Sequence, residues 1–159
     1  MDFLLSYTDL PKLHIFVALL AGLLSGIFFP GKSFSRKTAV GLLVTWLILV
    51  LSSTVLSRMP FEGKHLELHL FWSYRAHSVT LLKEDFLNLF LLLPVGVLLP
   101  VAGVRRFRWV ILFGFCATLC VETLQLLTQT GLFELDDIFH NTLGVAIGWL
   151  LWKYCDTQG

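Results

Sequence analysis

The sequence predicts an all-α integral membrane protein, a bundle of about five transmembrane helices with one longer extracytoplasmic loop. The first observation is composition: 56% of the 159 residues are hydrophobic, 14% are charged, and the mean hydropathy is +0.77. Soluble domains carry about 25% charged residues, so a chain this apolar is typical of a membrane protein. The second observation is a set of five separate apolar segments. The third is a single long polar connection, Ser57–Asp85, between the second and third segments.

The five apolar segments supply the predicted helices, which we place at Leu13–Phe29, Thr38–Leu56, Phe86–Val104, Trp109–Gln129 and Ile138–Cys155. Each is roughly 17 to 21 residues long, enough to cross a hydrocarbon core ~30 Å thick as a helix. A cleaved signal peptide over Leu13–Pro30 is the alternative for the first segment. Asp2 and Asp9 precede it, where a signal peptide has basic residues, so we interpret it as a retained span. The segments are taken as one domain covering residues 1–159.

The basic residues predict the orientation of the chain. Five spans place the two termini on opposite sides of the membrane. One side of the membrane then has seven basic residues, six of them in two short loops. The other side has five basic residues together with nine carboxylates, which offset their charge. Short cytoplasmic loops are enriched in Lys and Arg, so we expect the N-terminus outside and the C-terminus in the cytoplasm. The seven residues are Lys32, Arg36, Lys37, Arg105, Arg106, Arg108 and Lys153.

Several classes of function find no support in the sequence. The net charge is +1 and the basic residues are dispersed, so no nucleic-acid partner is expected. Cys116 and Cys120 lie in one apolar segment and Cys155 ends another, without CxxC spacing, so we expect inert core thiols. The chain has no phosphate loop, no Gly-x-Ser-x-Gly and no zinc-type His pair with Glu. No cofactor and no metal site are predicted.

The long loop carries aromatic and histidine residues. The run from His65 to Leu70 alternates polar and apolar residues, which predicts a short amphipathic strand or an interfacial segment. His65 and His69 would share a helix face, but they lack a third ligand, and we favour a surface role. Trp72 and Tyr74 are typical of aromatics at the headgroup level, which we favour over stacking on a substrate.

Polar side chains recur at one level of the last three predicted spans. Glu122 lies 14 residues after Arg108, which at about 1.5 Å per residue places it ~21 Å from the cytoplasmic edge. Gln125 follows one turn later on the same face. The third and fifth spans enter from the outer side and carry their polar residues near that entry. We therefore expect an outer-leaflet polar pocket formed by Asn88, Glu122, Gln125, His140 and Asn141.

Structural roles compete with function for part of this set. Asn88 and Gln125 are typical of the hydrogen bonds that join membrane helices. Asp136 or Asp137, in the acidic turn that also holds Glu134, would suit the N-cap of the last helix. Glu122 is different, because neither role needs an ionisable group at depth, and an intramembrane carboxyl is costly unless partnered.

Small residues predict close helix packing. Gly144 and Gly148 are spaced four residues apart, as are Gly22 and Gly26, and either face could serve a helix contact or a homo-oligomer. Pro94 and Pro100 interrupt the third span. Pro94 can free backbone carbonyls near the polar residues where these line a cavity.

Three stretches share the motifs of a known family. They are Asn88–Gly96 with its Pro-x-Gly step, Glu122-Thr-Leu-Gln125, and Gly131–Gly144 with its Asp-Asp-x-x-x-Asn-x-x-Gly pattern. In this order they resemble the VanZ-like family of small bacterial membrane proteins, over about Ser73 to Tyr154. The first two spans match only in hydropathy. Leu132 stands where many members carry an arginine, and Arg75 of the long loop is the candidate to replace it.

The resemblance implies a bacterial cytoplasmic membrane and a role of the kind known in one member, low-level resistance to teicoplanin, a glycopeptide with a fatty acyl chain. On this reading the pocket binds a membrane lipid, a lipoglycopeptide or a lipid-linked envelope precursor without chemistry. The ligand-binding candidates are Asn88, Glu122, Gln125, Asp136, Asp137, His140 and Asn141.

Two other functions are kept open. The chain would be a membrane-embedded enzyme acting on a lipid-linked substrate if Glu122 served as general acid or base with His140 as its partner. Asp136 and Asp137 could then bind a divalent cation through oxygen ligands. The third hypothesis is a structural partner in a larger complex, which only the glycine faces support.

Overall fold

A computed structural model describes residues 36–63 and 65–158 of the chain. The predicted first span, Leu13–Phe29, its glycines Gly22 and Gly26, and the N-terminus lie outside the described residues. The helices are α1 (Arg36–Leu51), which continues as a π-helical turn (Ser52–Leu56), α2 (Trp72–Arg75), α3 (Val79–Leu91), α4 (Leu93–Ala102), α5 (Phe107–Thr128) and α6 (Leu135–Gln158). Two short strands, β1 (Leu66–Glu67) and β2 (Phe133–Glu134), complete the described part. The all-α prediction is confirmed.

Among the described residues, three helical stretches are long and apolar enough to cross a membrane, namely Thr38–Leu56, Val79–Ala102 and Phe107–Thr128. Thr38–Leu56 has the bounds predicted for the second span. Phe107–Thr128 begins two residues before the predicted fourth span and ends one residue before that span ends. The 24 residues of α6 contain the predicted fifth span.

The predicted third span begins seven residues too late. The helix starts at Val79, not Phe86, and Ser78 accepts a hydrogen bond from the Leu81 N–H at 3.5 Å. Charged residues in this first part of the helix led the sequence argument to assign it to the loop. Asp85 is buried there because it faces polar groups of α2 and α6. The long connection therefore ends at Ser78 rather than Asp85.

Pro94 separates α3 from α4, as its lack of an N–H requires. The N–H of Val95 bonds to Leu92 O at 3.0 Å, so the carbonyl of Leu91 is left outside the helical pattern. The indole N–H of Trp46 on α1 donates to that carbonyl at 2.8 Å. The predicted release of a backbone carbonyl therefore occurs, and a neighbouring helix rather than a polar cavity satisfies it.

Helix α6 lies at the centre, in contact with α3, α4 and α5. A Cβ atom on Gly144 would lie 2.0 Å from Leu89 O, and one on Gly148 would lie 2.1 Å from Leu93 O. Only glycine lets the two backbones approach this closely, so the predicted close helix contact is confirmed. The face of α6 that carries Gly144 and Gly148 therefore packs against α3 and α4 within the chain.

The expectation of buried thiols was wrong, since Cys116, Cys120 and Cys155 are all exposed. Cys116 and Cys120 share the outer surface of α5 with large apolar side chains such as Leu112 and Phe113. In a membrane the surface that faces lipid is as apolar as the core, so hydropathy alone does not distinguish the two.

The strand alternative for the long loop is confirmed, and its partner is the acidic turn. Strand β1 pairs in parallel with β2, with Leu66 opposite Phe133 and Glu67 opposite Glu134. The N–H of Phe133 also donates to His65 O at 2.9 Å. This pairing holds the loop that follows α1 against the start of α6.

Candidate functional site

Four basic side chains gather at one end of the helices, and five carboxyl groups gather at the other. Trp149 on α6 donates from its indole N–H to Arg105 O at 3.0 Å, which brings the exposed Arg106, Arg108 and Lys153 to one end. The opposite end is where α5 finishes and α6 begins. Its carboxyl groups, called here the carboxyl cluster, are Asp85, Glu122, Glu134, Asp136 and Asp137.

Asp136 binds the short helix α2. Its carboxylate accepts from the backbone N–H of Phe71 and from the N–H of Ser73 at 3.3 Å, and it has no exposed surface. The Ser73 hydroxyl lies 2.9 Å from Asp136 Oδ2 and 2.5 Å from Asp85 Oδ2. Ser73 therefore connects α2 to both α3 and α6.

The N-cap prediction for the acidic turn is wrong. Helix α6 begins at Leu135, so Asp136 and Asp137 lie inside its first turn rather than at the cap. Their carboxylates bind other elements instead of the orphan N–H groups of their own helix. They keep the favourable position for negative charge at the positive end of the helix dipole.

His140 connects the interior to the surface. Its Nδ1 lies 2.7 Å from the backbone carbonyl of Asp136, which can only accept, so this nitrogen carries the proton. Nε2 can then accept from the hydroxyl of Tyr74 at 3.0 Å. Tyr74 is 47% exposed, whereas His140 is buried. Asp85 Oδ1 stands 3.6 Å from Nδ1, beyond hydrogen-bond distance.

Glu122 and Glu134 form the part of the cluster nearest α5. Glu122 is 1% exposed, and its Oε2 accepts the backbone N–H of Glu134 at 3.1 Å. The carboxylate of Glu134 accepts the indole N–H of Trp72 at 2.7 Å. Burial raises the pKa of Glu134 above its ordinary 4.5, the Trp72 hydrogen bond opposes this, and nearby carboxylates such as Asp136 add to it. The carboxyl group of Glu134 therefore holds its proton more tightly than an exposed glutamate does.

Asn88 and Asp137 meet across α3 and α6. The amide Nδ2 of Asn88 donates to Oδ1 of Asp137 at 2.6 Å. Asp137 is near enough to Glu122 for their charges to repel. These residues and His140 therefore lie together, as the depth argument predicted.

Gln125 does not join the carboxyl cluster. Its Nε2 donates to the backbone carbonyl of Thr54, in the π-helical turn after α1, at 3.1 Å. A Cβ atom on Gly131 would lie 2.8 Å from the Gln125 Cδ atom, so the amide is closely packed. Gln125 has the structural role that the sequence argument kept as its alternative.

Asn141 lies one helical turn after Asp137. Its Nδ2 donates to the hydroxyl of Thr118 at 3.2 Å, and Thr118 is one turn before Glu122 on α5. The Oδ1 atom of Asn141 is buried and has no hydrogen-bond partner among the residues that the structure describes. An amide oxygen in this state lowers stability by about 1–3 kcal/mol.

Four residues of the site escaped the sequence argument, namely Ser73, Asp85, Glu134 as a cluster member, and Tyr74 as a partner of His140. Only Asp85 had a usable signal, because it precedes Asn88 by three residues and therefore shares its helix face. Trp72 and Tyr74 were assigned to the headgroup level, and the structure adds specific hydrogen-bond partners for both.

Other predicted contacts do not form. Arg75 is exposed, and within the described ranges no lysine or arginine is ion-paired with the carboxyl cluster. His69 Nδ1 lies 2.6 Å from Glu67 rather than beside His65. In the part of the chain that the structure describes, no three His, Cys, Asp or Glu side chains are arranged to hold a metal ion.

Comparison with known proteins gives a family match. A family model described as VanZ/LLP1 matches residues 16–156, which include the whole carboxyl cluster. No curated protein and no solved structure matched the sequence.

Proposed function

Because the chain belongs to the VanZ/LLP1 family, we propose that it is a membrane protein whose carboxyl cluster forms an outer-leaflet pocket for an amphiphilic ligand. One observation carries the proposal. Five carboxyl groups lie at one end of the helices, and among the described residues no lysine or arginine side chain is ion-paired with them. Unpaired buried charge lowers stability, and at membrane depth such groups typically mark a functional site.

The separation of charge supports an orientation for this pocket. Arg105, Arg106, Arg108 and Lys153 gather at the end opposite to the carboxyl cluster. With the basic end in the cytoplasm, the cluster faces the outer leaflet, the C-terminus is cytoplasmic, and the N-terminus is outside. A bacterial cytoplasmic membrane is the proposed location.

Helix α3 supports the amphiphilic character of the ligand. One face carries Asp85 and Asn88 into the cluster. The residues exposed on its other face line a shallow apolar groove, and they are Val79, Leu82, Lys83, Phe86 and Leu87. A single amphiphile beside α3 could place its polar group near the cluster and its acyl chain along this surface. A membrane lipid, a lipoglycopeptide and a lipid-linked envelope precursor all have this form.

The proposed consequence is lower susceptibility to a lipidated glycopeptide. We would express the chain in a Gram-positive host and compare teicoplanin with vancomycin, which lacks the acyl chain. Wild type should protect against teicoplanin selectively, and Glu122→Gln should weaken that protection, because it replaces the carboxyl group at the centre of the pocket with an amide. Asp156→Asn, an exposed change at the far end of α6, is the matched control. Equal protection against both drugs, or none with the protein present in the membrane, would contradict the proposal.

A second candidate function is a membrane-embedded enzyme acting on a lipid or lipid-linked envelope substrate. The observation that favours it is the hydrogen-bonded path from exposed Tyr74 to buried His140, which suits proton transfer. Glu122 would be the general acid or base. Its carboxylate accepts from the backbone N–H of Glu134 rather than from His140, so the expected pair is not formed directly. Lipid analysis of expressing cells decides, since an enzyme must create or deplete a lipid species that Glu122→Gln leaves unchanged.

A further inference from the structure

Hydrogen-bond acceptors outnumber donors in the carboxyl cluster. Four of its five carboxyl groups share one pattern: a donor from the protein binds one oxygen, and no group within the described ranges is hydrogen-bonded to the other. The four are Asp85, Glu122, Glu134 and Asp137. Each side chain is therefore held in place and keeps one oxygen available for a further donor.

Asn141 adds an independent observation to this excess of acceptors. The residue is 2% exposed, and its Oδ1 is buried without a partner. It lies one turn from Asp137 along α6, and its bond to Thr118 places it one turn from Glu122 across the α5–α6 interface. A buried acceptor without a donor in the described residues thus lies one helical turn from two carboxyl groups, each of which has one oxygen without a donor.

The charge of the site selects among headgroup chemistries. The basic residue that acts on Glu122 is Arg58, whose side chain is exposed and forms no ion pair with Glu122. A phosphate or sulfate group would add negative charge and more acceptors, so it is disfavoured. An ammonium group supplies positive charge, three donors and no acceptor. A metal ion is the poorer fit, because no three acidic or histidine side chains converge as its ligands in the described residues.

We propose that the carboxyl cluster binds the ammonium group of a membrane amphiphile, that is, a primary amine at headgroup level. This inference rests on the proposed function, since it assigns a chemical class to the ligand of the same pocket. Trp72 and Tyr74 support it, because both rings adjoin the cluster and both are partly exposed. Aromatic faces attract cations, and both side chains already bind the cluster through their polar atoms.

Calorimetric titration of the full chain in an uncharged detergent tests the inference with simple probes. Octylammonium should bind at least tenfold more tightly than octyl phosphate or octanol. Asp137→Asn and Glu122→Gln should each weaken octylammonium binding by tenfold or more, because each replaces a carboxyl group with an amide that cannot become negatively charged, and each keeps the side-chain shape. Asp156→Asn should bind octylammonium as wild type does. Helical circular dichroism and a single elution peak establish that every variant is folded.

Two competition arms identify the source of the ammonium group. Displacement of octylammonium by dihexanoyl-phosphatidylethanolamine supports a lipid. Displacement by octanoyl-Gly-Lys amide, and not by the same peptide with its lysine acetylated, supports a lipopeptide. Displacement by neither would overturn the assignment to a membrane amphiphile.

The outcomes also separate this inference from the function on which it rests. Octyl phosphate binding as tightly as octylammonium, with both weakened by Asp137→Asn, would overturn the ammonium assignment and leave an amphiphile pocket standing. Failure of all three octyl probes to bind the folded wild-type chain would overturn the assignment and the proposed pocket together.

Discussion

The amide of Asn88 donates to the carboxylate of Asp137 at 2.6 Å, and this bond joins α3 to α6. It binds Oδ1 of Asp137, and Oδ2 has no hydrogen bond from the described residues. Asn88 therefore has two roles. It holds α3 against α6, and it orients a carboxyl group of the proposed ligand site. The two effects are separable by substitution.

Removal of the amide should destabilise the helix pair. In Asn88→Leu the half-buried carboxyl of Asp137 loses its donor, so the free energy of unfolding should fall by about 1–3 kcal/mol. Adding Asp137→Leu removes the unpaired carboxyl and should recover part of the loss. Thermal unfolding in detergent, followed by helical circular dichroism, measures both variants. Simple additivity of the two substitutions would show that the pair is not coupled.

Gly144 should tolerate no side chain. A Cβ atom there would lie 2.0 Å from Leu89 O, so Gly144→Ala must push α6 away from α3 and should abolish folding or lower the unfolding midpoint severely. Gly41→Ala is the matched control, since nothing lies within 4 Å of its Cβ position on α1. Alanine favours helix over glycine by about 1 kcal/mol, so the control should be neutral or slightly more stable. Similar behaviour of the two variants would contradict the close backbone contact.

Glu134 should make stability depend on pH. Burial raises its pKa in the folded state above 4.5, so the folded chain binds the proton more tightly than the unfolded chain does. The contribution of Glu134 to stability is then complete below pH 4.5, and it is lost as the pH rises through the pKa of Glu134 in the folded state. The unfolding midpoint of wild type should fall more steeply above pH 4.5 than that of Glu134→Gln. Asp156→Asn should follow the wild-type curve, and parallel curves for wild type and Glu134→Gln would count against this origin.

Cysteine labelling tests the proposed orientation. Cys155 is exposed near the end of α6, and Glu62 is exposed in the connection between α1 and β1. In intact cells a membrane-impermeant maleimide should label Glu62→Cys, and it should reach Cys155 only after permeabilisation. Cys116→Ser and Cys120→Ser remove the two thiols on α5 from the background. Labelling of Cys155 in intact cells would reverse the orientation and place the carboxyl cluster at the cytoplasmic side.

Helix rise was enough to assign Asn88, Glu122 and His140 to one level, because depth along a helix is a one-dimensional property. The same argument misassigned Gln125, which shares a face with Glu122 but turns towards Thr54. It also missed Ser73, whose role arises from a connection that returns to the helices. A side chain in a loop has no periodicity from which its partner can be inferred.

The sequence by itself determined the helical class, the bounds of the second and fourth spans, and the tight packing at Gly144 and Gly148. These depend on hydropathy, length and side-chain size, which are local properties of the chain. Only the tertiary structure decided which apolar faces are outside, where Cys116 and Cys120 lie, and how α2 and the β1–β2 pair connect the long loop to the carboxyl cluster. The physical reason is that lipid and protein core are equally apolar, so hydropathy does not show which helix face turns to lipid. Packing and hydrogen bonds between distant residues determine which face is buried in the protein.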